Sequence, residues 1–293
     1  MPGRVNIIGE HIDYCGYAVH PMAIDQDVVV GVMVDQTGAL ELSNVDSVKY
    51  PSFSLDNVTN FTIDATSPSW WGYFQCGMKG VWEECKVEKP KGMKLLLSGL
   101  DLCQDCLHSS LSTSFAGVIP ASAGLSSSSA LVVSAALVTV WANNVTVGKE
   151  ELANICARSE RFIGTQGGGM DQAIEILAEK GSAKLIEFNP LTTYNVTLPL
   201  GATFVVANTL EEKNKAASND FNTRVVECRI AAKILARLLL KGVFMSSKSS
   251  YNLQVGLWAE SIHHSLGQGP SWLQTPAADQ LQQASEQPSY LLV

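Results

Sequence analysis

Residues 120–142 read PASAGLSSSSALVVSAALVTVWA, and two physical demands meet in them. The small residues of PASAGLSSSSA (120–130) let backbone amides come close to a ligand, and the Ala, Val and Leu run behind them is apolar on all sides. A helix that is apolar all round sits inside a core, so the pattern predicts a buried helix over 124–142, with Ser126 to Ser129 available as caps. Its N-terminus would gather unsatisfied N–H groups and the positive end of the helix dipole, which suits an anion. No Gly-Lys-Ser/Thr closes the loop, so it is not a Walker A motif. A serine-capped core helix accounts for the same residues, and the segment alone leaves both readings open.

Outward from this helix, strands are predicted at 5–8 (VNII), 27–33 (DVVVGVM), 93–98 (MKLLLS), 183–188 and 202–208, all rich in β-branched or aliphatic residues between turn formers. Residues 38–64 alternate weakly and suggest further sheet, with turns at Asn44 and Asp56. WWGYFQCGMKGVWEE (70–84) places aromatics and Met78 at helical spacing. KEELANICARSERFIG (149–164) is an amphipathic helix with acids in its first turn, and GTQGGGMDQAIEILAEKG (164–181) is a glycine-rich turn running into a helix ended by Gly181. A long helix is expected over about 214–241. Beyond Lys241 no period is sustained, and 242–293 read as a divergent, poorly ordered tail.

Composition bounds what such a chain can do. With 46% hydrophobic and 16% charged residues among 293, it can bury a sizeable core. A net charge of −8 argues against nucleic acid as a partner, so any anion must be held locally by helix ends and a few placed cations. No stretch reaches the roughly 18 apolar residues of a membrane helix and no signal-like segment is seen, so no membrane partner and a cytoplasmic location are expected. Seven cysteines without framework spacing fit a reducing compartment. The sequons at Asn57, Asn60, Asn144 and Asn195 read as chance matches.

Two further clusters carry chemistry. PGRVNIIGEHIDY (2–14) puts Arg4 at one end of a strand and Glu10, His11 and Asp13 in the turn after it, where donors and acceptors can bracket the hydroxyls of a sugar. Taken singly they also read as a surface ion pair, a structural histidine and a turn cap. Gly167-Gly168-Gly169-Met170-Asp171 sets a carboxylate at a helix start behind three glycines, with Glu160 on the preceding helix. Asp171 reads either as a cap or as the acceptor of a hydroxyl proton. Glu160 and a loop serine could share Mg²⁺, which prefers oxygen ligands.

Together these segments resemble the GHMP kinases. PGRVNIIGEHIDYCGY resembles the galactokinase signature, PASAGLSSSSAL the glycine/serine loop of the superfamily, and SERFIGTQGGGMDQ the segment with its catalytic aspartate. Within the galactokinase-like branch the wording is most similar to the N-acetylgalactosamine kinases, from Pro2 to about Leu240. The resemblance implies a two-lobed α+β fold with a left-handed βαβ unit in the N-terminal lobe. It also implies ATP-dependent phosphorylation of the anomeric hydroxyl of N-acetylgalactosamine (GalNAc) and galactose, with Mg²⁺, by a monomer. Asp171 would take the hydroxyl proton and Arg4 would steady it. Glu10, His11 and Asp13 would hold sugar hydroxyls. Gly124, Ser126, Ser127, Ser128, Asn214 and Lys215 would contact the nucleotide, and Ser128 and Glu160 the metal.

The chain also departs from that pattern. The family pattern has a segment before PGRVN that this sequence does not show, so a first strand without an upstream anchor is expected; residues 100–117 look like an insertion beside the phosphate loop, and the third family motif is not found after Leu240. The expected organisation is an N-terminal lobe over 1–190, the start of a C-terminal lobe over 191–241, and the tail. A truncated or alternatively spliced product is expected, and the alternative to a working kinase is a non-catalytic sugar- or nucleotide-binding or regulatory form. Cys103, Cys106 and His108 in the insertion lack a second ligand pair, so no zinc site is predicted.

Overall fold

The computed structural model describes residues 1–98, 119–121, 123–207, 218–239 and 291–292. The insertion at 100–117 and nearly all of the tail lie outside the described residues, as do Asn214 and Lys215. Chain order is β1 (Pro2–Ile8), β2 (His20–Asp27), β3 (Val29–Asp35), β4 (Leu40–Asn44), β5 (Phe53–Leu55), α1 (Trp70–Glu84), β6 (Gly92–Ser98), α2 (Ser127–Ala142), α3 (Lys149–Ser159), α4 (Met170–Leu177), β7 (Ala183–Glu187), β8 (Thr192–Val196), β9 (Phe204–Val205), α5 (Asp220–Leu239) and β10 (Leu291–Leu292). Short 3₁₀ helices lie at Asp13–Cys15 and Glu160–Ile163.

A four-stranded sheet in the order β3-β6-β4-β5 backs the core. β6 pairs antiparallel with β3 and parallel with β4, and the chain between the parallel strands carries α1. Alternation sets the faces: Leu40 and Leu42 of β4 and Met93, Leu95 and Leu97 of β6 point inward, while Lys94 meets Glu41 at 2.6 Å on the outer face. The inward residues join Phe74, Met78 and Val81 of α1 and Leu131 to Ala136 of α2 in one apolar cluster. This is an α+β architecture with α2 largely buried, as its all-round apolar composition predicts, although Leu137 and Trp141 stay exposed.

α1 runs as its pattern foretells, and Ser69 caps it by accepting from the amide of Gly72 at 3.2 Å. Its contact with α2 depends on Gly77. A Cβ added there would lie 2.1 Å from the carbonyl oxygen of Val132 and 2.8 Å from Ala135 Cβ, so the two backbones touch.

Several local expectations change. β1 is not a loose strand: it pairs antiparallel with β2, and the amide of Arg4 donates to the carbonyl of Leu125 at 3.2 Å. Its anchors lie downstream in the chain, at β2 and at Leu125. The run 27–33 is divided at Val28 between β2 and β3, so β3 begins later than expected. β8, where no strand is predicted, forms an antiparallel hairpin with β7. Strand 202–208 shrinks to β9, which pairs in parallel with β10 within the tail. α4 stops at Leu177 rather than near Gly181: Ala178 is extended, and Glu179 turns to Lys184 Nζ at 2.8 Å and Asn195 Nδ2 at 2.7 Å.

Because backbone atoms cannot retreat as a side chain can, Gly77→Ala is expected to destabilise the fold by at least about 1–3 kcal/mol. Denaturant unfolding should show this as a lower midpoint, and an unchanged midpoint would contradict the close approach of α1 and α2.

Candidate active site

The opening stretch, the serine loop and the glycine run converge on Arg4. β1 carries its side chain into the protein, where the residue is 3% exposed. Nε donates to Asp171 Oδ1 at 2.6 Å, and Nη1 donates to the carbonyl oxygen of Gly124 at 2.7 Å. One guanidinium thus joins the first strand, the serine loop and the start of α4. Burial works against its charge, but the Asp171 carboxylate outweighs this and raises its pKa above the ordinary arginine value.

The serines do not cap α2 as expected. Ser126 adopts the left-handed conformation, at φ 60°, and makes no capping bond. Its hydroxyl donates instead to Glu175 Oε1 at 2.7 Å, and that of Ser129 donates to Glu160 Oε2 at 3.0 Å. Gln172 donates to the same Glu160 oxygen and to Ser129 Oγ. Two side chains of the helix behind the serine loop therefore reach α4 and the 3₁₀ turn, leaving the first-turn amides of α2 without a side-chain cap. Ser127 and Ser128 are half-buried at that end, and a Cβ at exposed Gly124 would meet nothing within 4 Å.

The turn after β1 lies nearby. Glu10 is exposed and accepts from Asn6 Nδ2 at 3.1 Å. Exposed His11, at φ 60°, places Nδ1 3.0 Å from the hydroxyl of Tyr14 and its ring 5.3 Å from that of Phe221. Asp13 Oδ2 accepts from the amides of Gly168 at 3.1 Å and Met170 at 3.4 Å. Gly168 must be glycine for that contact, since a Cβ would fall 2.2 Å from the amide nitrogen of Tyr14. Arg4, Asp13, Gly124, Ser126 and Asp171 are thus linked directly or through one neighbour. Among the described residues no three His, Cys, Asp or Glu side chains gather as a ready metal cage.

Glu175 escaped the sequence reading. It lies four residues after Asp171 on α4, fully buried, with Oε2 lacking a hydrogen-bond partner. The available hint was an acid on a helical face otherwise built from Ile174 and Leu177. Burial, then the charge of Asp171, pushes its pKa well above the ordinary carboxylate value, while the bond from Ser126 pulls the other way.

Comparison with known proteins matches this geometry. Residues 2–34 match the galactokinase galactose-binding signature, and residues 94–179 match the GHMP kinases N terminal domain. A galactokinase of Candida maltosa is 36% identical over 189 residues, 63% of this chain and 79% of that protein. The chain belongs to the galactokinase family of GHMP kinases. A galactokinase of Dictyostelium discoideum is 40% identical over 80% of this chain, but over 45% of its own length. The chain spans about half the length of most curated galactokinases that it resembles. Among solved structures, the Lactococcus lactis galactokinase complexed with galactose is similar at TM-score 0.67 and 25% identity, covering 84% of this chain and 57% of that one. Methanococcus jannaschii mevalonate kinase, at TM-score 0.54 and 16% identity, shares the GHMP fold.

In this galactokinase-family chain, losing Arg4 would strand a largely buried carboxylate. Arg4→Met is expected to cost about 3–5 kcal/mol, and Asp171→Leu added to it should recover part of that loss in denaturant melts.

Glu175 predicts a pH trend of the opposite sense to an ion-paired acid. Its raised folded-state pKa means that its contribution is fully present below the ordinary value of 4.5 and is lost as pH rises through the folded value. Glu175→Gln is neutral throughout, so its melting midpoint should gain on that of the parent as pH rises from 4.5 to 8. A constant difference would contradict the buried neutral acid.

Proposed function

We propose that this chain carries the site of an ATP-dependent sugar 1-kinase, with galactose and GalNAc as substrates. The observation that supports this best is the Arg4 bridge, which sets the Asp171 carboxylate beside the loop where phosphates would lie. In the reaction Asp171 accepts the proton of the anomeric hydroxyl as its oxygen bonds to the terminal phosphorus of the nucleotide and the bond to the ADP oxygen breaks. Such a transfer asks the protein for alignment and charge compensation more than for covalent chemistry.

Glu10, His11 and Asp13 would hold the sugar hydroxyls, and Arg4 would keep Asp171 ionised and aimed. The uncapped first turn of α2, with Gly124, Ser126, Ser127 and Ser128, suits a polyphosphate, because its amides have no competing side-chain acceptor. Asn214 and Lys215 would add contacts to the nucleotide. Ser128 and Glu160 supply hard oxygen donors for Mg²⁺, which commonly takes few protein ligands beside phosphate oxygens and water. When bound, Mg²⁺ would offset the negative charge of the phosphates. The similarity of IGTQGGGMDQ (163–172) to GalNAc kinases favours that sugar, whereas the relatives named above are galactokinases.

Formation of sugar 1-phosphate from galactose and from GalNAc by the whole chain, beside Asp171→Asn, tests the proposal. The variant should lose about 10²–10⁴-fold in rate while keeping its fold. Equal rates would remove Asp171 from the reaction. Sugar-dependent thermal stabilisation without turnover would favour the binding or regulatory form.

A further inference from the structure

Arg158, Arg161 and Arg229 line one cavity of about 260 Å³. They are three of the six arginines in a chain whose net charge is −8. Among the described lining residues Asp13 is the single carboxylate, and it accepts the amides of Gly168 and Met170. Arg158 donates to Glu84 at 3.1 Å, with both side chains about half exposed, so solvent weakens that neutralisation. Arg229 donates to Gln166 Oε1 at 3.1 Å. The Arg161 side chain is exposed at the cavity and has no ion pair or hydrogen bond among the described residues.

Three guanidinium groups around one hollow work against each other. Burial and then Arg158 lower the pKa of Arg161, and burial and then Arg161 lower that of Arg229. An anion among them would turn this repulsion into attraction, and planar guanidinium forks match the oxygens of phosphate. The cavity is smaller than the usual range for drug-sized ligands, so its occupant is small.

We propose that this cavity is a second anion site, which binds the phosphoryl group of a small molecule. It is separate from the serine loop, since neither residues 124–128 nor Arg4, Glu10, His11 or Asp171 line it. It shares Asp13 and Gly168 with the sugar-side turn, so an occupant would bear on the contact that positions that turn. Inorganic phosphate and a hexose 1-phosphate carry the same recognised group. The site stands whether or not the chain is an active kinase.

Calorimetric titration of the whole chain with inorganic phosphate, and separately with galactose 1-phosphate, tests this. Arg161→Gln should weaken binding of both by about tenfold or more, a loss of ~1.4 kcal/mol, with an unchanged melting midpoint. Arg224→Gln, at a surface pair with Glu227, should leave both affinities as they were. If Arg161→Gln does not fold, Arg229→Gln takes its place with the same expectation. Equal affinity for the two probes would assign recognition to the phosphoryl group alone, and tighter sugar phosphate would add the hexose. Binding that survives both arginine variants, or that falls in Ser127→Ala instead, would overturn the proposal by moving the anion to the serine loop.

Discussion

One buried guanidinium holds the candidate site together. Arg4 has more donors than any single partner can use, and it distributes them to Asp171 on α4 and to the Gly124 carbonyl. A lysine would supply one charge point and could not span both directions with a fixed fork. The bond from its amide to Leu125 fixes the strand against the same loop. Gly3, one residue earlier, permits this approach: a Cβ there would lie 2.9 Å from the Leu125 carbonyl oxygen. The start of the chain is therefore a structural part of the site and not an appendage to it.

A second layer of polar contacts sits behind Arg4 and differs in character. Ser126 meets Glu175, and Ser129 meets Glu160 and Gln172, all within the buried region between α2 and α4. Burying acids there is costly unless they are bonded or neutral. Glu160 is bonded by a hydroxyl and an amide, while Glu175 answers the same cost with a strongly raised pKa. Asp171, one helical turn before Glu175, faces Arg4. Two carboxylates on one short helix thus meet different surroundings: Asp171 faces a guanidinium and Glu175 a buried hydroxyl.

The elements most legible in the sequence were those whose reasons are local. α1 matches its aromatic periodicity and its Ser69 cap, and α2 matches its uniformly apolar composition. The convergence of Arg4, Asp171 and the serine loop came from motif resemblance, because contacts across 167 and 120 residues leave no trace in spacing. Strand β8 was missed because its pairing partner and its Lys184–Glu179–Asn195 contacts, not its own propensity, hold it in place. The direction of the serine hydroxyls was misjudged for the same reason. Capping is a local rule, and here the distant acids Glu160 and Glu175 win the competition for those hydroxyls.

Asp13 shows how such competition can serve a site. Its Oδ2 holds the glycine run by accepting from Gly168 and Met170. The run that Asp13 holds leads directly into Asp171, and Gly168 packs too tightly on residues 13 and 14 to move without moving the turn. A ligand that engages Asp13 would therefore act on the helix start bearing Asp171 through a rigid contact only a few residues long. That short path runs from the turn to the start of α4 and needs no rearrangement of α2 or the sheet.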